Sequence, residues 1–397
     1  MDFRYGEKAE KLRKEVREFV KENIPVEVYF GMFSEEEFDE DWEFSMKMSK
    51  KLSEIGWLTL KWPEEYGGMD ASGWEVCVLK EEAGYWGIPG LTMGVSGTQW
   101  VGPSIMLFGT EDQKKKYLPP IAAGEAEGIW CTGYSEPDAG SDFASLQTRA
   151  ERQGDVYVIN GQKVWNSGGH RAKYCWLACR TDPNAKRKHD GISLFIVDLE
   201  SEGVKVQPIP NVVGAEVFNE LIFTDVKVPV ENLVGKENEG WSILMQALAF
   251  ERGVAILTCS LLKRYLDELV VYAKETGAMK RPEIRKQLVD LTIEYRTLRL
   301  LSLEEIWKEA KGDMVIYEPA RNKTYNVDIL EKVALFGTEL IGAYSQVDPL
   351  IRDNQYKRLN GILEWLYWIL PGIWNAAGTQ DIMRNIVAQF ALGLPNR

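Results

Sequence analysis

Hydrophobic residues change their period twice along this chain, and that change dictates a three-part architecture. Between about residues 128 and 236 they come in short strand-like runs: Arg149–Arg152, Val156–Asn160, Tyr174–Arg180, Ile192–Leu199 and Glu220–Phe223. No ten-residue helical pattern separates the runs, which argues for an antiparallel β-domain rather than βαβ units. Gln153-Gly154-Asp155 and Asn160-Gly161 have the chemistry of tight turns between runs. On either side the period is helical. Leu12, Val16, Phe19 and Val20 share one face of Glu7–Asn23, and Asp41–Ile55 repeats the pattern with Trp42, Met46 and Leu52. Thr110 followed by Gln113 reads as a capping box ahead of a short helix ending near Tyr117. Farther on, Trp241–Leu269, Glu283–Lys311 and Val327–Tyr344 are long and periodic, and Ile284, Leu288, Leu291, Tyr295, Leu298 and Leu301 form a core stripe. The predicted class is α+β multidomain: an all-α domain over 1–127, an antiparallel β-domain over 128–236 and a C-terminal four-helix bundle over 237–397.

Composition removes several function classes. The formal charge is −13, with 47 Lys+Arg against 60 Asp+Glu, and shows no basic stripe for nucleic acid. His170 and His189 are the two histidines, too few for a multi-His metal site or a His-centred triad. Five cysteines without a CxxC read as buried thiols in a reducing compartment, with Cys175 and Cys179 on one strand face. The N-terminus is charged from the start, without the apolar run of a secretory signal. Leu363–Ile373, broken by Glu364 and Pro371, is too short to span a bilayer. These features predict a cytoplasmic protein, of prokaryotic type. The sequence contains no strand-linked GxGxxG, no GxxxxGK[ST], no GxSxG and no HExxH.

One polar, glycine-containing segment stands out: Trp130-Cys131-Thr132-Gly133-Tyr134-Ser135-Glu136-Pro137-Asp138-Ala139-Gly140-Ser141-Asp142. It offers hydroxyls and backbone N–H groups at close range, suited either to a ligand rich in acceptors or to a self-satisfied polar loop. Together with Trp62-Pro63-Glu64-Glu65-Tyr66-Gly67-Gly68, Phe108–Pro119, Asn160-Gly161-Gln162-Lys163-Val164-Trp165, Asp225–Pro229, Asn232–Gly235 and Gly378-Thr379 to Arg384-Asn385, it resembles the acyl-CoA dehydrogenase family, block after block in family order.

The resemblance implies FAD and α,β-desaturation of an acyl-CoA thioester. In that reading Thr132, Gly133, Tyr134 and Ser135 wrap the flavin, with Tyr134 and Ser135 on its pyrimidine side. Trp165, Asn166 and Ser167 follow, Trp165 against the ring and Ser167 toward N5. Gly378, Thr379 and Asp381 form a second FAD contact, and Ser141 and Arg252 meet the CoA portion. Many relatives carry the catalytic Glu immediately before the Gly-Thr of the C-terminal turn, where this chain has Ala377. Another branch, of isovaleryl type, has a Glu-Arg pair on a bundle helix; Phe250-Glu251-Arg252 matches it, making Glu251 the expected base. Two segments that hold the far end of FAD depart from the family pattern: Lys274–Pro282 stands for Arg-x-x-Phe-Gly, and Leu335–Leu340 for a Gly-Gly-x-Gly turn. The expected assembly is a tetramer, homomeric or heteromeric, passing electrons to an electron-transferring flavoprotein. The alternatives are a subunit, active or silent, of a heteromeric enzyme for bulky, cyclic or dicarboxylic acyl-CoA, and an oxidase using O2.

Overall fold

The computed structural model describes residues 2–25, 39–91, 96–214, 216–251, 255–348 and 358–395. Its helices are α1 (Glu7–Asn23), α2 (Asp39–Glu54), α3 (Gly73–Trp86), α4 (Gly102–Phe108), α5 (Glu111–Ala122), α6 (Gly240–Glu251), α7 (Ala255–Glu275), α8 (Pro282–Ala310), α9 (Glu318–Ile341), α10 (Ile362–Asn375) and α11 (Gln380–Phe390). Its strands are β1 (Trp130–Gly133), β2 (Arg149–Gln153), β3 (Val156–Lys163), β4 (Tyr174–Arg180), β5 (Ile192–Asp198), β6 (Val204–Ile209), β7 (Phe218–Pro229) and β8 (Leu233–Val234). Helices, sheet and helices thus follow in the expected order. These elements group into two compact units: one from residues 1–32, 71–88 and 252–397, the other from 33–70 and 89–251.

In the first unit α9 packs against α7, α8, α10 and α11, and α3 packs against α1 and α7. The amphipathic pattern of α1 buries Ala9, Leu12, Val16 and Val20. Two carboxylates of α3 are buried beside it, Glu81 and Glu82. Burying them alone would be strongly destabilising. Arg13 reaches both, at 2.9 and 2.8 Å, Arg17 reaches Glu82 at 2.9 Å and Arg299 reaches Glu81 at 2.9 Å. The network pins α1, α3 and α8 together.

The second unit holds the sheet, in the order β6-β7-β3-β2-β4-β5-β8, with β1 beside β4. Pairing is antiparallel except where β1 and β2 run parallel to β4. Strands β4 and β5 are buried on both faces. Trp176, Ala178, Ile192, Leu194 and Ile196 face the helical residues Val101, Ile105, Tyr117, Leu118, Ile121, Ile243 and Leu244. Cys175, Leu177, Cys179, Phe195 and Val197 face a second core built from strand residues. Cys175 and Cys179 therefore do share a face, and all five cysteines are buried free thiols.

The structure corrects two local expectations and adds a feature the sequence did not announce. Asn160-Gly161 is no turn: β3 continues through it with a bulge against β7. Gly161 has φ 151°, and a Cβ there would lie 2.5 Å from Thr148 Oγ1. Asn160 instead clamps Asp225 by two bonds of 2.9 Å. The helix after Thr110 forms the capping box but runs through Pro119 and Pro120 to Ala122. Burial of Tyr117, Leu118 and Ile121 holds that last turn. Before α4 the backbone takes a π-helical turn over Gly97–Val101. No helix among the described residues is long and apolar enough to cross a membrane.

Candidate active site

The segment Thr132–Ser135 leaves the end of β1, and Trp165–Ser167 leaves the end of β3; the structure brings the two together. Asn166, with no exposed surface, donates from Nδ2 to the Thr132 carbonyl at 2.6 Å. The Val164 N–H donates to the Ser135 carbonyl at 2.9 Å. Lys163 donates from Nζ to the Tyr134 carbonyl at 3.0 Å and to Glu136 Oε1 at 2.8 Å. Burial alone would raise the Glu136 carboxyl; the Lys163 charge and bonds from Gln147 and Thr148 outweigh it and hold the group below its usual range. Three carbonyls of the segment are thus occupied from one side by β3 and its extension.

Gly133 makes this approach possible. A Cβ there would sit 2.5 Å from Leu177 Cδ1 and 2.9 Å from Cys175 Sγ, both buried. Trp165 follows with φ 63°, a left-handed conformation rare for a large side chain. The Asn166 N–H donates to the Asn219 carbonyl at 2.9 Å, and Asn219 Nδ2 returns a bond to the Asn166 carbonyl at 3.2 Å. Held in this turn, the Trp165 indole stays 61% exposed, edge-on to Phe218. Ser167 is exposed beside it. An exposed indole next to a hydroxyl and a rigid extended segment suits a planar heteroaromatic ring with polar edges. Asn219 and Lys163 carry much of this geometry, and neither was singled out from the sequence.

A second feature lies in the same unit. Tyr134 packs on Phe143, Phe143 stacks on Trp241, and Trp241 meets His189 at 4.3 Å between ring centres. The row ends in a cleft of about 410 Å³ lined by Arg187, His189, Asp190, Asn238, Glu239, Trp241 and Ser242. Lys188 binds Asp142 at 2.6 Å and Ser145 at 2.8 Å, tying the exposed turn at Ser141 to the loop that carries Arg187 and His189. The π-helical turn packs against both β1 and α6, and Glu251 is the last described residue of α6. Arg252 lies outside the described residues.

The C-terminal turn belongs to the other unit. Gly378 has φ 91°, Thr379 caps α11 by accepting from the Ile382 N–H at 3.3 Å, and Asp381 is exposed, 3.6 Å from Arg384. Lys323 bonds the carbonyls of Ala376 and Gly378 and fixes the turn from α9. Among the described residues no group of His, Cys, Asp and Glu could hold a metal.

Comparison with known proteins identifies the family. Residues 6–125, 131–226 and 238–392 match the N-terminal, middle and C-terminal domains of acyl-CoA dehydrogenase. The chain is 32% identical over 396 residues to acyl-CoA dehydrogenase IpdE1 of Mycobacterium tuberculosis, covering 98% of each protein. Among solved structures it is similar to the Tcur3481-Tcur3483 steroid ACAD, with TM-score 0.88, 32% identity and full coverage of both chains. The ChsE4-ChsE5 complex from Mycobacterium tuberculosis gives 0.82 at 29% identity, again over all of both chains. The match across all three domains leads to one conclusion: the chain belongs to the acyl-CoA dehydrogenase family and is an FAD-dependent oxidoreductase.

Proposed function

We propose that this chain is the catalytic subunit of a heteromeric dehydrogenase that introduces a 2,3-double bond into a bulky, ring-bearing acyl-CoA thioester. One observation carries the reading: one and the same π-helical turn packs against β1, from which Thr132–Ser135 runs, and against α6, whose last residue is Glu251. On this reading, base and electron acceptor would both come from one unit of one chain.

Thr132–Ser135 and Trp165–Ser167 would hold the flavin ring, and Gly378, Thr379 and Asp381 a further part of FAD. Bound FAD supplies a two-electron acceptor for the β-hydrogen, which leaves with its electron pair. Glu251 takes the α-proton, as in the isovaleryl-type branch, and the remaining pair becomes the C=C bond. The CoA end would follow Ser141 and the aromatic row to the cleft at Arg187 and His189, where the Arg187 guanidinium, now paired with Asp190 at 2.8 Å, would turn to a phosphorylated adenosine beside an imidazole and an indole. The family resemblance assigns Arg252 to the CoA portion as well.

Two things support a heteromer. Two relatives named as pairs of proteins, the Tcur3481-Tcur3483 steroid ACAD and the ChsE4-ChsE5 complex, are similar over their whole length. This chain also lacks the Arg-x-x-Phe-Gly and Gly-Gly-x-Gly segments that would hold the far end of an adjacent subunit's FAD. A partner chain keeping them would complete this chain's site, while this chain could not return the contact. Electrons would pass on to an electron-transferring flavoprotein. The test is composition: coexpression with a second acyl-CoA dehydrogenase chain carrying both segments should give a tetramer with one FAD per two chains. A homotetramer binding one FAD per chain as tightly would overturn the reading.

A further inference from the structure

Lys163 has a fully buried side chain, and a buried ammonium is costly unless it is well bonded. Glu136 meets that need at 2.8 Å. The Glu136 charge is in turn spread over the Gln147 N–H at 2.6 Å and the Thr148 N–H at 2.9 Å. A tie between β3 and the segment would need nothing more. Yet Nζ also donates to the Tyr134 carbonyl, at 3.0 Å. That carbonyl belongs to the peptide whose N–H is that of Ser135. No acceptor among the described residues meets the Ser135 N–H, although the Ser135 carbonyl is taken by Val164. Drawing electron density onto a carbonyl oxygen makes the N–H of the same peptide a stronger donor, and hydrogen bonds in series strengthen one another in a dry interior.

We propose that Lys163 is a positioning residue for redox tuning: through the Tyr134 carbonyl it polarises the Ser135 N–H toward the pyrimidine edge of the flavin and so favours the electron-rich reduced form. The inference rests on the reading of Ser135 as a flavin contact. A cation one peptide removed acts on the cofactor without touching it; burial pushes the Lys163 ammonium toward losing its proton, and the Glu136 carboxylate opposes that.

Two variants of the FAD-loaded protein test it, Lys163→Met and the double variant Lys163→Met/Glu136→Gln. The single variant leaves Glu136 buried without its cation and should melt at a lower temperature. The double variant removes both charges and should recover much of that loss. The deciding readout is the two-electron potential of the bound flavin, by equilibration with a reference dye. Both variants should favour reduced over oxidised FAD about tenfold less than the parent, a fall of about 30 mV. A double variant with the parent's potential would reduce Lys163 to a structural tie and overturn the inference. A parent protein that takes up no flavin would overturn the flavin reading itself.

Discussion

Gly133→Ala would test the flavin cradle with the smallest possible change. The added methyl meets Leu177 Cδ1 at 2.5 Å and Cys175 Sγ at 2.9 Å, where ordinary contact begins near 3.4 Å. Relief requires a shift of about 0.9 Å, the difference between 3.4 and 2.5 Å. Leu177 and Cys175 have no exposed surface and lie in a core closed by strands, so β1 must move rather than its neighbours. Overpacking of this kind costs about 1–3 kcal/mol. If the strand stays in place, the cost appears in stability, as a fall of about 2–4 °C in melting temperature per kcal/mol for a unit of this size. If β1 bends outward, it carries Thr132–Ser135 with it, and the same energy appears as roughly a 5–150-fold weaker hold on FAD. Thermal melting of the FAD-free protein and fluorescence titration with FAD read the two terms separately. A variant that melts within 1 °C of the parent, by about the resolution of such a scan, and binds FAD within about twofold would refute the reasoning, since the two terms together must reach about 1 kcal/mol.

Glu305 should make stability fall as pH rises. Burial, with Glu309 nearby, lifts its carboxyl to about 8, against the pull of the Asn322 bond. The folded chain then keeps a proton that the unfolded chain releases near 4.5, so stability declines between about pH 4.5 and 8 and is flat above. Glu305→Gln should abolish the slope and gain about 3–5 kcal/mol at pH 8.5, read by denaturant unfolding; an unchanged slope would contradict this. Arg187→Ala should raise KM for the CoA thioester about tenfold while kcat holds, and leave KM for a pantetheine thioester unchanged; equal effects on both would remove the cleft from the CoA path.

Local signals in the sequence translated well. The α1 stripe, the Thr110–Gln113 box and the Gly154-Asp155 hairpin depend on residues a few positions apart, and each forms as its neighbours dictate. What escaped depends on distant partners. Strand β1 is four residues long and looks like a polar loop until β4 runs beside it. Strand β6 alternates too weakly to announce itself, with no residue fully buried. Asn160-Gly161 carries a turn signature, yet Thr148 and Asp225 use it as a bulge and a clamp. In the proposed site, the motif residues were nominated through family resemblance. Their supports were not: the burial of Lys163, the Asn166–Asn219 exchange and the cleft beside Trp241 arise only when segments far apart in sequence meet.

The central claim is that this chain supplies its own base. Glu251→Gln keeps shape and removes the proton acceptor, whereas Ala377 already has none to offer. The measurement is anaerobic stopped-flow mixing of FAD-loaded enzyme with a ring-bearing acyl-CoA that bleaches the parent flavin. The variant should stay yellow and bind the thioester, while flavin reduction slows by about 10²–10⁴-fold, the usual range for loss of a general base. Reduction within a few-fold of the parent rate would show that Glu251 takes no proton, and the assignment of catalysis to this chain's α6 would fail.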